Sequence, residues 1–355
     1  MTGILIIFFL LNWLFPLKVN IEYSQIITSS KGKILHAFLT SDEKWRMKTE
    51  LGEIIPELKK AIIYKEDKYF YYHFGINPVS IIRALYNNTL QNKKTSGAST
   101  ITMQVARLLE PKERTYANKS IEMFRAIQLE LYYSKDEILQ LYLNLVPYGG
   151  NIEAVKSASL LYFQRNPDHL SLAQIVTLTI IPNRPNSLMP GRNNDLIEKE
   201  RNRWLKKFKA DNIFPENMIE DALNEPLKAQ RHEAPKFTPH FATRLKSKYP
   251  GKAIIKTHLD GNIQNKVESI TYNYIQRLKH FNIHNAAVIV IKNKSVVVIA
   301  YLGNADFSDT ENAGQVDGIK AVRSPGSTLK PFVYALAIDK GIVTPKNTIT
   351  DVPVN

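Results

Sequence analysis

Three clusters in this chain combine residue types that can do chemistry together. In YKEDKYFYYHFGIN (64–77), adjacent acids Glu66 and Asp67 sit among six aromatic side chains and a histidine, just before a glycine. Aromatic surface strips water from a carboxylate and disfavours its charged form, which moves such a group towards use as a general base or acid. The plainer arrangement is a helix whose acids face water over packed rings. In GASTITMQVAR (97–107), the start of a helix offers backbone N–H groups, the hydroxyls of Ser99 and Thr100, and Gln104 and Arg107 to an oxygen-rich ligand. A Ser/Thr-capped helix of no chemical consequence reads the same way. In RTYANKSIEMFRAIQLE (114–130), Lys119 and Glu122 follow Arg114 by five and eight positions, so one helix presents two cations and a second carboxylate, or else a solvated charged face. Together the clusters suit a sugar transfer in which a diphosphate leaves, because the base needs a dry setting and the leaving group needs fixed cations. Hydrolysis of a glycosidic bond also uses two carboxylates but has no need of clustered cations.

The elements that must position these groups are legible from caps and periodicity. SQIITSSKGKILHAFLTSDEKWRM alternates apolar and polar residues and predicts a short strand pair. Helical signals run from 51 to 212. Asn77-Pro78 caps and starts a helix over 79–90, Ser134 with Glu137 forms a capping box, Asn151 is placed to cap IEAVKSASLLYF, and Ser171 caps LAQIVTLTII. A loop then precedes the basic helix LIEKERNRWLKKFK. The expected organisation is a membrane anchor (1–18), a short β-rich segment (19–50), a mainly α domain (51–212), a helix-and-loop linker (213–260) and the opening of an α/β domain (261–355). That last unit shows a strand, an amphipathic helix and the hairpin NAAVIVIKNKSVVVIAYLG, with a helix beginning near Ser327.

Composition narrows the partners. The 355 residues carry 47 Lys+Arg against 33 Asp+Glu, a formal charge of +14 that suits an anionic membrane surface or a phosphate-bearing substrate. No zinc-finger spacing, RNA-binding motif or unbroken basic run points to nucleic acid. Cysteine is absent, which removes disulfides and cysteine-based metal sites. The stretch GILIIFFLLNWLFPL (3–17) is apolar with one Asn and no charge, shorter than the ~20 residues of a comfortable membrane helix. No small-residue cleavage site follows it, so it reads as an uncleaved anchor rather than a signal peptide.

EDKYFYYHFGIN, GASTITMQVAR, NKSIEMFRAIQLELYYSKDEILQLYLN and VPYGGNIEAVKSAS stand in the order and spacing of the family 51 peptidoglycan glycosyltransferases. The chain thus resembles the lysozyme-like domain of bifunctional class A penicillin-binding proteins. The resemblance continues through YLGNADFSDTENAGQVDGIKAVRSPGSTLKPF into the start of an α/β penicillin-binding transpeptidase domain. It implies a polymerase of lipid II in bacterial cell wall synthesis, releasing undecaprenyl diphosphate. Glu66 matches the catalytic base that takes the proton from the acceptor's GlcNAc 4-hydroxyl, and Glu122 matches the second essential glutamate. Arg107, Arg114 and Lys119 match basic positions near the donor's diphosphate, and Ser99, Thr100 and Gln104 match the motif that shapes the cleft. Asn77, Ala98, Met103 and Asn118 depart from the family's common aspartate, glycine, glutamine and arginine. A divalent cation such as Mg2+ often assists this family, though no metal-ligand cluster in the sequence indicates one. The implied partners are lipid II, the growing glycan strand, the membrane and other cell-wall synthesis proteins. The implied location is the inner membrane, single-pass, with the catalytic domain on the periplasmic side.

In SPGSTLK, Ser327 and Lys330 form an S-x-x-K pair, the nucleophile and helper of penicillin-binding enzymes. Ser30/Lys33 and Ser41/Lys44 share the spacing, but only Ser327 sits at a turn-to-helix junction after a hairpin. The 25 residues after Lys330 contain neither S-x-N nor K-T-G, so this second site is expected to be completed by sequence beyond Asn355. Two alternatives stay open: a lysozyme-like glycan hydrolase or lytic transglycosylase, and a non-catalytic scaffold of wall synthesis.

Overall fold

A computed structural model describes residues 2–80, 82 and 99–348. Helix α1 (Thr2–Leu14) leads to an antiparallel pair, β1 (Ile26–Thr28) and β2 (Ile34–Ala37), where alternation predicted one. Strand β3 (Trp45–Arg46) and helix α2 (Pro56–Glu66) follow. Next come α3 (Ile101–Leu109), α4 (Tyr116–Tyr132) and α5 (Lys135–Leu145), then β4 (Pro147–Gly149) and β5 (Ile152–Glu153), then α6 (Val155–Phe163), α7 (Leu172–Ile180) and α8 (Asn194–Ala210). Asn77 Oδ1 accepts the Ser80 N–H at 3.1 Å, as its capping role requires. Most of the helix expected over 79–90 lies outside the described residues, as do Gly97 and Ala98.

Helix α7 is the axis of the core. It is apolar around its whole circumference, as a helix surrounded by protein must be, and every residue but Gln174 is buried. Its two buried polar residues are satisfied internally: Thr177 and Thr179 donate their hydroxyls to the Ala173 and Ile175 carbonyls, both at 2.8 Å. α2 and α8 pack on either side of it, and a Ser171–Gln174 capping box starts it, as expected. The Ser134–Glu137 box of α5 also forms.

Asn151 does not cap the next helix. Residues 152–153 pair with β3 instead, and α6 begins only at Val155, behind an uncapped Ala154 at φ 68°. The turn that feeds this pairing requires glycine at Gly149, with φ 103° and an absent Cβ that would lie 2.8 Å from the Pro185 carbonyl oxygen. The Asn151 amide is used across the surface, donating to the Glu43 carbonyl at 2.8 Å and accepting from Arg231 at 2.7 Å. Sheet pairing outcompeted the local cap.

The extended strap through β3 is fastened to the helices by buried polar groups. Asn144 on α5 brackets residue 49, accepting from its N–H at 2.8 Å and donating to its carbonyl at 2.9 Å, and Ser157 on α6 accepts the Met47 N–H at 2.9 Å.

Beyond α8 the chain forms α9 (Glu216–Asn224), α10 (Pro239–Lys248) and β6 (Ile254–Lys256), which pairs in parallel with β1. Helix α11 (Gly261–Leu278) and the hairpin of β7 (Val288–Lys292) and β8 (Val297–Leu302) follow as predicted. Gln264 of α11 joins the two, donating to the Tyr301 carbonyl at 3.1 Å and accepting its N–H at 2.8 Å. A 3-10 turn, Gly326–Leu329, then opens α12 (Lys330–Asp339).

Candidate active site

The aromatic stretch is folded the opposite way from the plain expectation. Its acids are turned in, with the Glu66 and Asp67 side chains 10% and 5% exposed, while Tyr69, Tyr71, Tyr72 and Phe74 face out and only Phe70 is buried among the rings. The reason is that both acids have buried partners. Asp67 caps α3 through space: its Oδ2 accepts the Ile101 N–H at 3.0 Å, and His73 Nε2 lies 3.0 Å from both of its oxygens. A carboxylate at a helix N-terminus is favoured by the unsatisfied N–H groups there. Thr100 completes the junction, accepting from Met103 N–H at 3.1 Å and donating to the Gly75 carbonyl at 2.6 Å. Gly75 (φ 71°) is needed because a Cβ there would stand 2.8 Å from the Ala126 carbonyl oxygen of α4. Thus α2, α3 and α4 are tied at one point by the stretch that carries Glu66.

Glu66 itself ends α2. One oxygen pairs with the Lys65 ammonium, and the other accepts from Gln104 Nε2 on α3 at 3.1 Å. Lys65 is almost wholly enclosed, and burial pulls its ammonium below the usual lysine range against the raising effect of Glu66. Trp204 of α8 covers it, with the ring centroid 5.6 Å from Nζ. Behind lie Tyr142 and Tyr148, fully buried, their hydroxyls pushed up first by burial and then by the Glu66 charge. The Tyr148 hydroxyl has no hydrogen-bond partner among the described residues.

The second carboxylate is organised by a lysine. Lys119 Nζ donates to Glu122 Oε2 at 2.8 Å and to Ser99 Oγ at 2.6 Å, so the start of α3 and the middle of α4 share one cation. Arg107 is half-buried in the last turn of α3, and Arg114 is exposed in the connection to α4. Neither has a carboxylate partner among the described residues, which leaves both guanidinium groups available to an anion. Asn118 serves the first turn of α4 here, its N–H on Thr115 Oγ1 at 3.1 Å and its amide on the Glu113 carbonyl at 2.9 Å.

The structure therefore links Glu66 with Gln104, and Ser99 with Lys119 and Glu122, on three adjoining helices. Thr100 has its hydroxyl engaged on both sides within the fold, where it holds the start of α3 against Gly75. The sequence assigns no site role to Lys65, Asp67 or His73, although Asp67 and His73 fall within the EDKYFYYHFGIN motif. The signal available for them was the burial of a charged run at a helix end, which needs partners up to 34 positions away. Among the described residues no group of three or more His, Cys, Asp or Glu is placed to hold a metal ion.

The Transglycosylase family model matches residues 31–209, half of the chain and the whole of this helical site. The chain belongs to the transglycosylase family. The model of the Penicillin binding protein transpeptidase domain matches residues 286–355, after the transglycosylase domain, as the motifs predicted. The chain is 33% identical over 350 residues to Penicillin-binding protein 1C of Escherichia coli (strain K12), covering 97% of this chain and 45% of that protein. To Penicillin-binding protein 1F of Bacillus subtilis (strain 168) it is 28% identical over 355 residues, covering 94% and 48%. The chain thus spans about half the length of these curated relatives. A solved structure, Penicillin-Binding Protein 1A from Haemophilus influenzae, matches 91% of the chain at 14% identity and a TM-score of 0.33, too loose a superposition to bear on the fold.

Within the transpeptidase match, Ser327 and Lys330 stand one turn apart, joined through the backbone by the Lys330 N–H on the Ser327 carbonyl. Both side chains are exposed, and no residue of α12 is buried.

Proposed function

We propose that this transglycosylase domain is a peptidoglycan glycosyltransferase that polymerises lipid II into glycan strands. The observation that carries the reading is the largely enclosed Glu66 carboxylate, held on one side by Lys65 and on the other by Gln104 of the family's α3 motif. Glu66 takes the proton from the 4-hydroxyl of the acceptor's GlcNAc as that oxygen bonds to the donor's anomeric carbon. The bond from that carbon to the diphosphate breaks, undecaprenyl diphosphate leaves with the electron pair, and the configuration inverts. A carboxylate already oriented by two donors loses little freedom in reaching the transition state.

The leaving group gathers negative charge, which Arg107, Arg114 and Lys119 offset. Lys119 is already bound to Ser99 and Glu122, so Glu122 sets where that cation points. Helix α1 holds the chain at the inner membrane with the transglycosylase domain on the periplasmic side, close to its lipid-linked substrates. Among the described residues no helix is long and apolar enough to cross a membrane; α1 is apolar but has 13 residues. The transpeptidase match supports reading the whole protein as a bifunctional wall-building enzyme, with other cell-wall synthesis proteins as its partners.

Labelled lipid II, supplied to the purified chain in vesicles, separates the readings. Polymer is the expected product. Cleavage of preformed glycan without use of lipid II would make the protein a hydrolase, and no reaction with either would make it a scaffold.

A further inference from the structure

Helix α1 carries one amide in an apolar run, Asn12, and that amide is engaged through both its nitrogen and its oxygen. Its Nδ2 donates to the Tyr132 hydroxyl at 2.8 Å and its Oδ1 accepts from Gln128 Nε2 at 2.8 Å, both partners on α4. Gln128 is buried and also donates to the Phe15 carbonyl at 3.0 Å, just past the end of α1. Arg125, one turn back along α4, donates to the same carbonyl at 2.7 Å and to Gln128 Oε1 at 2.8 Å. Its other terminal nitrogen meets Glu110, the C-cap of α3, at 2.9 Å. One turn earlier on α1, Phe8 packs on Phe124 with ring centroids 5.4 Å apart. Ile6, Phe9, Leu10 and Trp13 remain exposed.

A tether needs none of this. An unpaired amide beside lipid is costly, so the side chains that satisfy it fix both the rotation and the height of α1 on α4. The network ends on α3 and α4, the helices that carry Gln104 and Arg107, and Lys119 and Glu122. Arg125 lies one turn beyond Glu122 on the same helix.

We propose that Asn12, Gln128 and Arg125 form a polar latch that holds α1 in a single register on α4, and that the N-terminal helix thereby positions the second-carboxylate side of the site. These are positioning residues, and the inference rests on the reading of α3 and α4 as the sugar-transfer site. The latch makes the depth and tilt of the cleft relative to the bilayer a property of the fold rather than of a flexible leash.

The chain has no cysteine, so introduced pairs report cleanly. Phe8→Cys/Phe124→Cys, in the whole chain and in vesicles of phosphatidylethanolamine and phosphatidylglycerol, gives a cross-link that reads the α1–α4 register without reference to activity. Three backgrounds are compared: unaltered, Asn12→Leu, and the exchanged pair Asn12→Gln/Gln128→Asn. Circular dichroism checks that each is folded, and flotation checks that each stays on the vesicles. In Asn12→Leu the cross-link yield falls about fivefold, and kcat on lipid II, measured without the cysteines, falls about tenfold with KM little changed, the scale on which a coupled side-chain network acts. The exchanged pair recovers part of both. Unchanged cross-linking in Asn12→Leu overturns the latch, as does an exchange that restores neither readout. A lost cross-link with full kcat overturns the positioning role. Absence of polymer from the unaltered chain refutes the enzymatic reading instead, while the cross-link still reports on the latch.

Discussion

Two helices in this molecule are preceded by a Ser-Thr pair and end up in very different surroundings. α3 begins just after Ser99 and Thr100, and α12 begins just after Ser327 and Thr328; each helix start has a lysine at hand, Lys119 or Lys330. In α3, five residues are buried, the first turn is capped from outside by Asp67, and Ser99 is bound to Lys119 at 2.6 Å. In α12 none is buried, and Ser327 and Lys330 both face solvent. The local chemistry is alike. What separates them is the shell that holds polar groups at fixed distances and keeps water out, and this is what gives a hydroxyl or carboxylate its reactivity.

The sharpest test of that contrast is a pair of substitutions. Glu66→Gln should reduce glycan polymerisation by about 10²–10⁴-fold, the range of general acid–base catalysis, with helical content unchanged. Ser327→Ala should leave polymerisation as it was. If Glu66→Gln kept more than about a tenth of the turnover, Glu66 would not be the base.

Next in size is covalent labelling. With the serine and lysine open to solvent, the chain of residues 1–355 should take up no fluorescent penicillin above the Ser327→Ala control on a gel. Serine-dependent labelling would mean that α12 already has the oxyanion donors and walls that acylation needs, and the contrast between α3 and α12 would collapse.

The smallest expected effect concerns Tyr148. Its buried hydroxyl lacks a partner among the described residues and is held protonated well above the usual tyrosine range. A group with a raised folded pKa supports the fold below its unfolded pKa of about 10 and loses that support as pH rises beyond it, because only the unfolded chain releases the proton. Tyr148→Phe should therefore match or slightly exceed the parent's stability at pH 7. Above about pH 10 its stability should fall less steeply, by roughly 1.4 kcal/mol per pH unit. Thermal unfolding at both pH values measures this, with Tyr334→Phe on exposed α12 as control; equal slopes would show that Tyr148 ionises freely in the native state.

Much of the frame was legible in the sequence because it is local. The Ser134 and Ser171 capping boxes, the β7–β8 hairpin and the amphipathic α11 depend on residues three to fourteen positions apart. The candidate site was legible through its motifs, but its internal wiring was not. Asp67 reaches the N-terminus of α3, Gln104 reaches back 38 positions to Glu66, and Gly75 clears a carbonyl of α4, none of which leaves a periodic trace. Asn151 shows the converse failure: a correct cap residue in a correct-looking place, overridden because its neighbours had a strand to join. The docking of α1 was missed for the same reason, since Asn12 reads as a blemish in an apolar run until Gln128 is placed beside it.

The pairing of β6 with β1 has a mechanical consequence. The chain enters the helical domain past β1 and leaves it before β6, and the two strands run parallel, with Ile26 N–H on the Ala253 carbonyl at 2.8 Å and Thr257 N–H on the Thr28 carbonyl at 3.0 Å. A pull applied ahead of β1 and beyond β6 acts on opposite ends of parallel strands, so it loads these bonds in shear, all at once rather than one after another. The path of force closes through this small sheet. The helices of the candidate site, inserted between the two strands, are spared the part of the load that this sheet carries.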